Sequence, residues 1–176
     1  MADDMTASEM TGSHIVDLIV IAAAGPIAQA RSRIGSAPGW RANRTPRETA
    51  AYHEGGHVVA RAVIGLPPHR FVSIKRIELP AATISGYATS NPAELTPEQV
   101  AELPASSDFK QIVRYIRYLD NDRGERLACW RRLRAATEQL IEGNWGLVRR
   151  MAETILCSQS QSLNQAEIAA VLAEGA

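Results

Sequence analysis

Cysteine is scarce in this 176-residue chain: Cys129 and Cys157 stand far apart, and no C-x-x-C spacing occurs. That excludes a disulfide framework and fits a reducing compartment, with both thiols read as ordinary half-buried side chains. Net charge is lacking too. Lys plus Arg and Asp plus Glu number 19 each, so overall charge points to no polyanionic partner. The one long apolar run, Ile15 to Ala28, is interrupted by Asp17, Gly25 and Pro26 and is short for a membrane crossing. The start, Met1-Ala2-Asp3-Asp4, has none of the basic residues of a signal peptide. No Gly-x-x-x-x-Gly-Lys-Ser/Thr phosphate loop is present, nor any tandem repeat or low-complexity tract. The expectation is a cytoplasmic protein without membrane contact, with a disordered tail over residues 1–12 and a single domain over residues 13–176. That length is enough to bury a core.

What is present is Tyr52-His53-Glu54-Gly55-Gly56-His57-Val58. It carries the H-E-x-x-H pattern, which on a helix sets two imidazoles one turn apart on one face. Such a pair commonly holds zinc, with the Glu between them placed as general base. The helix has a clear beginning. Thr45-Pro46-Arg47-Glu48 reads as a capping box with proline at the first helical position, and Gly65 supplies a left-handed stop. Gly55 and Gly56 each cost a helix interior about 1 kcal/mol relative to Ala, so something must pack closely there. The candidate is the small-sided stretch Ala22 to Ala30, inside a helix predicted from Ser13 to about Ile34 with a kink at Pro26.

The rest of the chain reads as helices around a little sheet. Phe71 to Ile77 alternates like a half-buried strand and Thr83 to Thr89 more weakly, predicting a small hairpin or sheet edge. Asn91 to Pro104 reads as a loop with one capped turn at Thr96. Helices are predicted from Ser106, over Arg123 to Ile141, over Trp145 to Leu156 and over Asn164 to Ala173, the last two as an antiparallel pair. The fold class is therefore mainly α with a small β-hairpin.

Two histidines do not complete a catalytic zinc site, which takes three protein ligands. His14 and His69 are the other histidines, and His69, in the turn Pro67-Pro68-His69-Arg70, reads as solvent-facing. The longer H-E-x-x-H-x-x-G-x-x-H pattern is broken, since Ala60 stands where its glycine would be. A carboxylate is left. Asp108 follows Ser106 and Ser107 in the first turn of a helix. From the residues alone it is either a partner of the helix terminus or the third ligand.

With these pieces placed, the chain resembles the protease domain of the FtsH family of zinc metallopeptidases. The likeness is carried by Glu48-Thr49-Ala50-Ala51-Tyr52-His53-Glu54-Gly55-Gly56-His57-Val58-Val59-Ala60. Val72-Ser73-Ile74 and Ser85-Gly86-Tyr87 are similar to the strands beside the family's metal helix, and Ser106-Ser107-Asp108 to its Ser-Asn-Asp motif. The resemblance implies a compact helical zincin-type metallopeptidase domain with Zn²⁺ on His53, His57 and Asp108, and Glu54 as catalytic base. It also implies substrate bound along Ser85, Gly86 and Tyr87.

The chain departs from the family in two ways. The family's small-residue helix, Gly-Gly-Arg-x-Ala-Glu-Glu, is missing between Tyr87 and Ser106, and a similar segment, Ala24 to Ala30, precedes the metal helix instead. Gln29 and Ala30 then stand where the family has acidic residues supporting the site, so Gln29 is the expected neutral outer partner of the metal ligands. With no phosphate loop, the expected substrate is unfolded or flexible polypeptide, and a separate ATPase or a homo-oligomer is a further expected partner.

Two rival readings remain at this level. One is a compact H-E-x-x-H regulator that cleaves or binds a specific repressor. The other is a non-catalytic module. Lys110 to Arg134 carries eight basic residues against three acidic ones, with Tyr115, Tyr118 and Trp130 interleaved, a composition that suits nucleic acid. Solvated helix faces look the same, and the zero net charge disfavours nucleic acid.

Overall fold

The computed structural model describes residues 12–34, 44–74, 108–119 and 122–174. The predicted tail, the strand at Thr83 to Thr89, the turn at Thr96, Ser106 and Ser107, and Ser85, Gly86 and Tyr87 lie outside them. The described residues form six helices and two short strands: α1 (Gly12–Ser32), α2 (Pro46–Val63), β1 (Phe71–Ser73), α3 (Asp108–Leu119), α4 (Arg123–Gly143), α5 (Trp145–Cys157), β2 (Ser162–Asn164) and α6 (Gln165–Ala173).

α1 and α2 form the central pair, with the most extensive contact among the described elements. α5 packs on the far side of α2, and α3 and α4 pack on the far side of α1. Two apolar cores result. One joins α2 to α5 and α6 through Val58, Val59, Val148, Met151, Ile155 and Ile168. The other joins α1 to α3 and α4 through Ile15, Ile19, Ile112, Ile116, Trp130 and Leu133. Ile27 touches both.

α1 runs unbroken through Pro26, whose ring is exposed. Proline crowds the Cβ of the residue before it when that residue is helical; here that residue is Gly25, which has none. Ala22, Ala23, Ala24, Gly25 and Ala28 are all buried, which lets the backbones of α1 and α2 approach. By length and composition α1 is, among the described residues, the helix that could cross a membrane. The core helix of a water-surrounded domain passes the same test, and this one has its apolar face against α2, α3 and α4.

α2 begins as its sequence dictates. Thr45 accepts from the Glu48 amide at 3.2 Å, and the Glu48 carboxylate accepts from the Thr45 amide at 2.8 Å, with Pro46 at the first helical position. Gly65 follows the helix at φ +80°. Tyr52, one residue before His53, is buried and stacks on Trp145 with ring centroids 5.5 Å apart. Arg44 covers the Tyr52 ring and Arg31 the Trp145 ring, at 4.4 and 5.0 Å. This four-part stack ties the start of α2 to α1 and α5.

The small antiparallel sheet expected from the sequence is present, and its described partner strand comes from the C-terminal region; the strand expected at Thr83 to Thr89 lies outside the described residues. β1 pairs antiparallel with β2, Phe71 opposite Asn164 and Ser73 opposite Ser162, so a strand early in the chain meets the C-terminal region. A three-residue strand such as Ser162–Asn164 is too short to show a period of two, so nothing in its sequence marks it as a strand. Asn164 then caps α6, accepting from the amides of Ala166 and Glu167.

Candidate metal centre

Gly56 is where α1 and α2 touch. A Cβ built there would lie 2.6 Å from the Ala24 carbonyl oxygen and 2.7 Å from the Ala28 Cβ. Gly55 points the other way, toward α5, where a Cβ would lie 3.2 Å from the Val148 carbonyl oxygen. The glycine pair thus thins the helix on two sides, only one of which was expected. With the helices this close, the imidazoles of His53 and His57 fill the space over Gly25. A Cβ on Gly25 would lie 2.4 Å from His57 Nε2 and 3.0 Å from His53 Nε2.

The backbone and one amide set the orientation of both rings. His57 Nδ1 lies 2.8 Å from the Ile21 carbonyl oxygen. A carbonyl only accepts, so Nδ1 carries the hydrogen and donates it. His53 Nδ1 lies 3.1 Å from Gln29 Oε1 and donates in the same way. In the neutral rings both hydrogens are then used, and both Nε2 atoms present lone pairs.

Those lone pairs converge with a carboxylate from another helix. Asp108 Oδ2, at the first residue of α3, lies 2.8 Å from His53 Nε2 and 3.3 Å from His57 Nε2, and the two Nε2 atoms are 3.1 Å apart. Three electron-rich atoms this close require a cation among them, either protons or a metal ion. The charges respond accordingly. Burial alone would raise the Asp108 carboxyl, but its hydrogen bonds to His53 and His57, followed by their charges, hold it well below the usual carboxylate range. Burial is the largest single influence on His57 and disfavours its charge, but the hydrogen bond to Asp108, the charges of Asp108 and Glu54 and the bond to the Ile21 carbonyl together outweigh it, and the imidazole's pKa is raised.

The same triangle fits a single metal ion. The point equidistant from its corners lies about 1.8 Å from each, inside the ~2.0–2.2 Å that zinc keeps from imidazole nitrogen and carboxylate oxygen. One ion can therefore reach all three atoms without moving a helix. His53, His57 and Asp108 are the group that could hold a metal among the described residues, and two imidazoles with one carboxylate suit the first-row divalent ions.

A cleft of about 280 Å³ opens beside the triangle. Leu18, Ile21 and Ala22 form an apolar wall; Glu54, Arg61, His69 and Gln111 bring polar groups next to His57 and Asp108. The structure thus gathers His53, Glu54, His57, Asp108 and Gln29 in one place. Ser85, Gly86 and Tyr87 lie outside the described residues.

One residue departs from its sequence reading. His69 is half-buried rather than turned out to solvent: its ring lines the cleft, and Nε2 is buried with no hydrogen-bond partner among the described residues. An orphan of this kind costs roughly 1–3 kcal/mol. The cause is the loop after α2, which folds back through a hydrogen bond from Arg61 Nε to the Pro67 carbonyl oxygen. Sequence reasoning also missed Gly25 and the Ile21 carbonyl. The Gly-Pro step inside a helix was the available signal for the first; nothing marks the second.

The basic stretch over α3 and α4 resolves differently from its sequence pattern. Trp130 is buried in the core beside α1, and Tyr115 packs against the same cluster. Of the three interleaved aromatics, Tyr118 is the exposed one. Comparison with protein-family models, with curated proteins and with solved structures gives no match to this chain.

Proposed function

We propose that this chain is a zinc-dependent endopeptidase acting on unfolded or flexible polypeptide, with a site of the kind found in FtsH-type peptidases. The observation that carries the reading is the triangle of His53 Nε2, His57 Nε2 and Asp108 Oδ2, with Glu54 beside it in an open cleft. Support for the FtsH likeness comes from α1. Its Ala24-Gly25 segment packs on the metal helix and Gln29 bonds His53, the role expected if this helix replaces the small-residue helix that the family carries elsewhere.

Zinc held by these three residues would supply Lewis acidity, lowering the pKa of water toward about 7 and polarising a carbonyl. The chain's own residues do the rest. Glu54 takes the proton of the attacking water and passes it to the leaving amine. Gln29 and the Ile21 carbonyl hold the two rings in the tautomer that offers Nε2. Leu18, Ile21 and Ala22 keep one side of the cleft dry, and we assign the backbone of the substrate to Ser85, Gly86 and Tyr87.

Casein cleavage by zinc-loaded wild type and Glu54→Gln tests this reading. The variant is expected to keep its zinc and to lose about 10²–10⁴-fold in rate. Wild-type cleavage by Glu54→Gln would overturn it.

A further inference from the structure

The row of side chains that presents the metal ligands continues past them. His53, His57 and Arg61 follow one another at four-residue spacing on α2, so one face of the helix carries all three. Arg61 lines the same cleft as Glu54, His57 and Asp108. Its Nε donates to the Pro67 carbonyl in the loop after the helix, which fixes the plane of the guanidinium. The N–H groups left over sit on Nη1 and Nη2, at the end of a planar fork that matches a carboxylate. Neither Nη has a hydrogen-bond partner among the described residues, and no carboxylate pairs with Arg61 there. Nor are they sealed off. Among the described residues His69 Nε2 is the buried polar side-chain atom without a partner, so the unpaired nitrogens of half-buried Arg61 keep surface open to solvent.

The other polar groups of the cleft differ from Arg61 in charge or in access. His69 Nε2 is closed to water, and burial, then the charge of Arg61, then that of His57, push the imidazole below its ordinary pKa. Gln111, one turn after Asp108 on α3, is exposed and carries N–H donors. Its amide is neutral and suits a carbonyl as well as a carboxylate. Glu54 is an anion. With a divalent ion on the triangle, Asp108 and Glu54 balance its charge, and Arg61 leaves the cleft positive. The apolar wall of Leu18, Ile21 and Ala22 strengthens that field. Arg61 also stands away from the reacting bond. At 1.5 Å per residue its Cα lies about 6 Å beyond that of His57 along α2, and about 10 Å beyond that of Glu54. Such a place suits a group beside the scissile amide rather than the amide itself.

Resting on the proteolytic reading, we infer that Arg61 is a specificity-determining residue, whose Nη groups bind a carboxylate of the substrate close to the scissile amide. That carboxylate belongs to an Asp or Glu side chain or to the free C-terminus of the peptide. Either source offers the same two oxygens to the fork. The substrate class is polypeptide with a negative charge next to the cut.

The test reads binding without turnover on zinc-loaded Glu54→Gln, alone and with Arg61→Gln, Arg61→Lys or Arg61→Glu added. The probes are short acetylated peptides of one sequence built from Ala, Ser and Leu. Three have an amidated end and a central Glu, Gln or Lys; the fourth has a central Gln and a free C-terminal carboxylate. Zinc content is measured on every protein. With Arg61 in place, a carboxylate peptide should bind about 10–100-fold more tightly than the amidated Gln peptide, the range for hydrogen bonds to a charged group. Tight binding of the Glu form names a side chain as the source, and tight binding of the free-ended form names the C-terminus. Arg61→Gln should remove the preference with zinc retained, Arg61→Lys should keep part of it, and Arg61→Glu should transfer it to the Lys peptide. A preference that survives Arg61→Gln would put the carboxylate on the metal and overturn the assignment. No difference among the four peptides would overturn it too, as would equal weakening of all four by Arg61→Gln, the mark of a support for the loop. Casein turnover by the wild type is scored separately. Its absence removes the endopeptidase reading, while the peptide preference still decides what Arg61 binds.

Discussion

Gly25 and His57 lie on different helices, and the ring of one occupies the place where the other would carry a side chain: a Cβ on Gly25 would stand 2.4 Å from His57 Nε2. The glycine also lets α1 continue into Pro26. One missing carbon therefore serves both the backbone of α1 and the donor atoms on α2.

Gly25→Ala should consequently separate stability from metal binding. Alanine is favoured over glycine in a helix by about 1 kcal/mol, so helix content by circular dichroism is expected to persist. Metal affinity should fall by more than the ~10–100-fold typical of losing an outer hydrogen bond, because the Cβ pushes the rings themselves. Wild-type affinity in a competition titration would contradict this.

The two glycines of the metal helix should respond unequally to alanine. At Gly56 the added carbon meets backbone and Cβ of α1 at 2.6 and 2.7 Å, whereas at Gly55 the nearest atom of α5 is 3.2 Å away. Overpacking costs about 1–3 kcal/mol, so Gly56→Ala should lower stability clearly in urea titration. Gly55→Ala should stay within about 1 kcal/mol of wild type once the helix preference is included. Equal losses would mean that α1 is not the closer neighbour.

Gln29 accepts from His53 Nδ1 and so fixes which nitrogen faces Asp108. Gln29→Ala should weaken metal binding about 10–100-fold with the fold intact. Gln29→Glu puts a charge on the same hydrogen, makes the imidazole a stronger donor to metal, and should tighten binding above the wild type. Identical affinities across the three proteins would remove Gln29 from the site.

Acid sensitivity should reside partly in the cap of α2. The Glu48 carboxyl is lowered from its ordinary 4.5 by hydrogen bonds from the Thr45 amide and hydroxyl. A depressed folded-state value means that this stabilisation is present above 4.5, the unfolded value, and is lost as pH falls through the folded one. Glu48 is partly exposed, so the contribution is small and screened. Stability measured from pH about 6 down to about 3 should fall less steeply in Glu48→Gln than in wild type. Thr45→Ala should cost about 0.5–2 kcal/mol at neutral pH. Parallel pH curves for wild type and Glu48→Gln would contradict the first statement.

The parts legible in the sequence are those fixed by neighbours along the chain. Thr45 to Glu48 announces its own capping box, His53 and His57 share a face by spacing alone, and Gly56 asks for the small-sided helix that α1 supplies. The parts not legible depend on contacts across the chain. The pairing of β1 with Ser162–Asn164 involves a partner segment too short to carry a period. His69 reads as solvent-facing from its turn composition and turns inward because Arg61 holds the loop at Pro67. Asp108 shows the boundary most clearly. Its place in a first helical turn suits a cap and a ligand equally, and only the packing of α3 against α1 brings Oδ2 to the two imidazoles.

The central claim is that His53, His57 and Asp108 hold one ion together. Zinc titration of the metal-free protein against a chelating indicator tests it most directly, with wild type, Glu54→Gln and Asp108→Ala side by side. Wild type and Glu54→Gln should each take up one equivalent with the same affinity, and Asp108→Ala should bind far more weakly. Zinc bound by Asp108→Ala as tightly as by wild type would return Asp108 to the role of a helix-terminus residue and contradict the account.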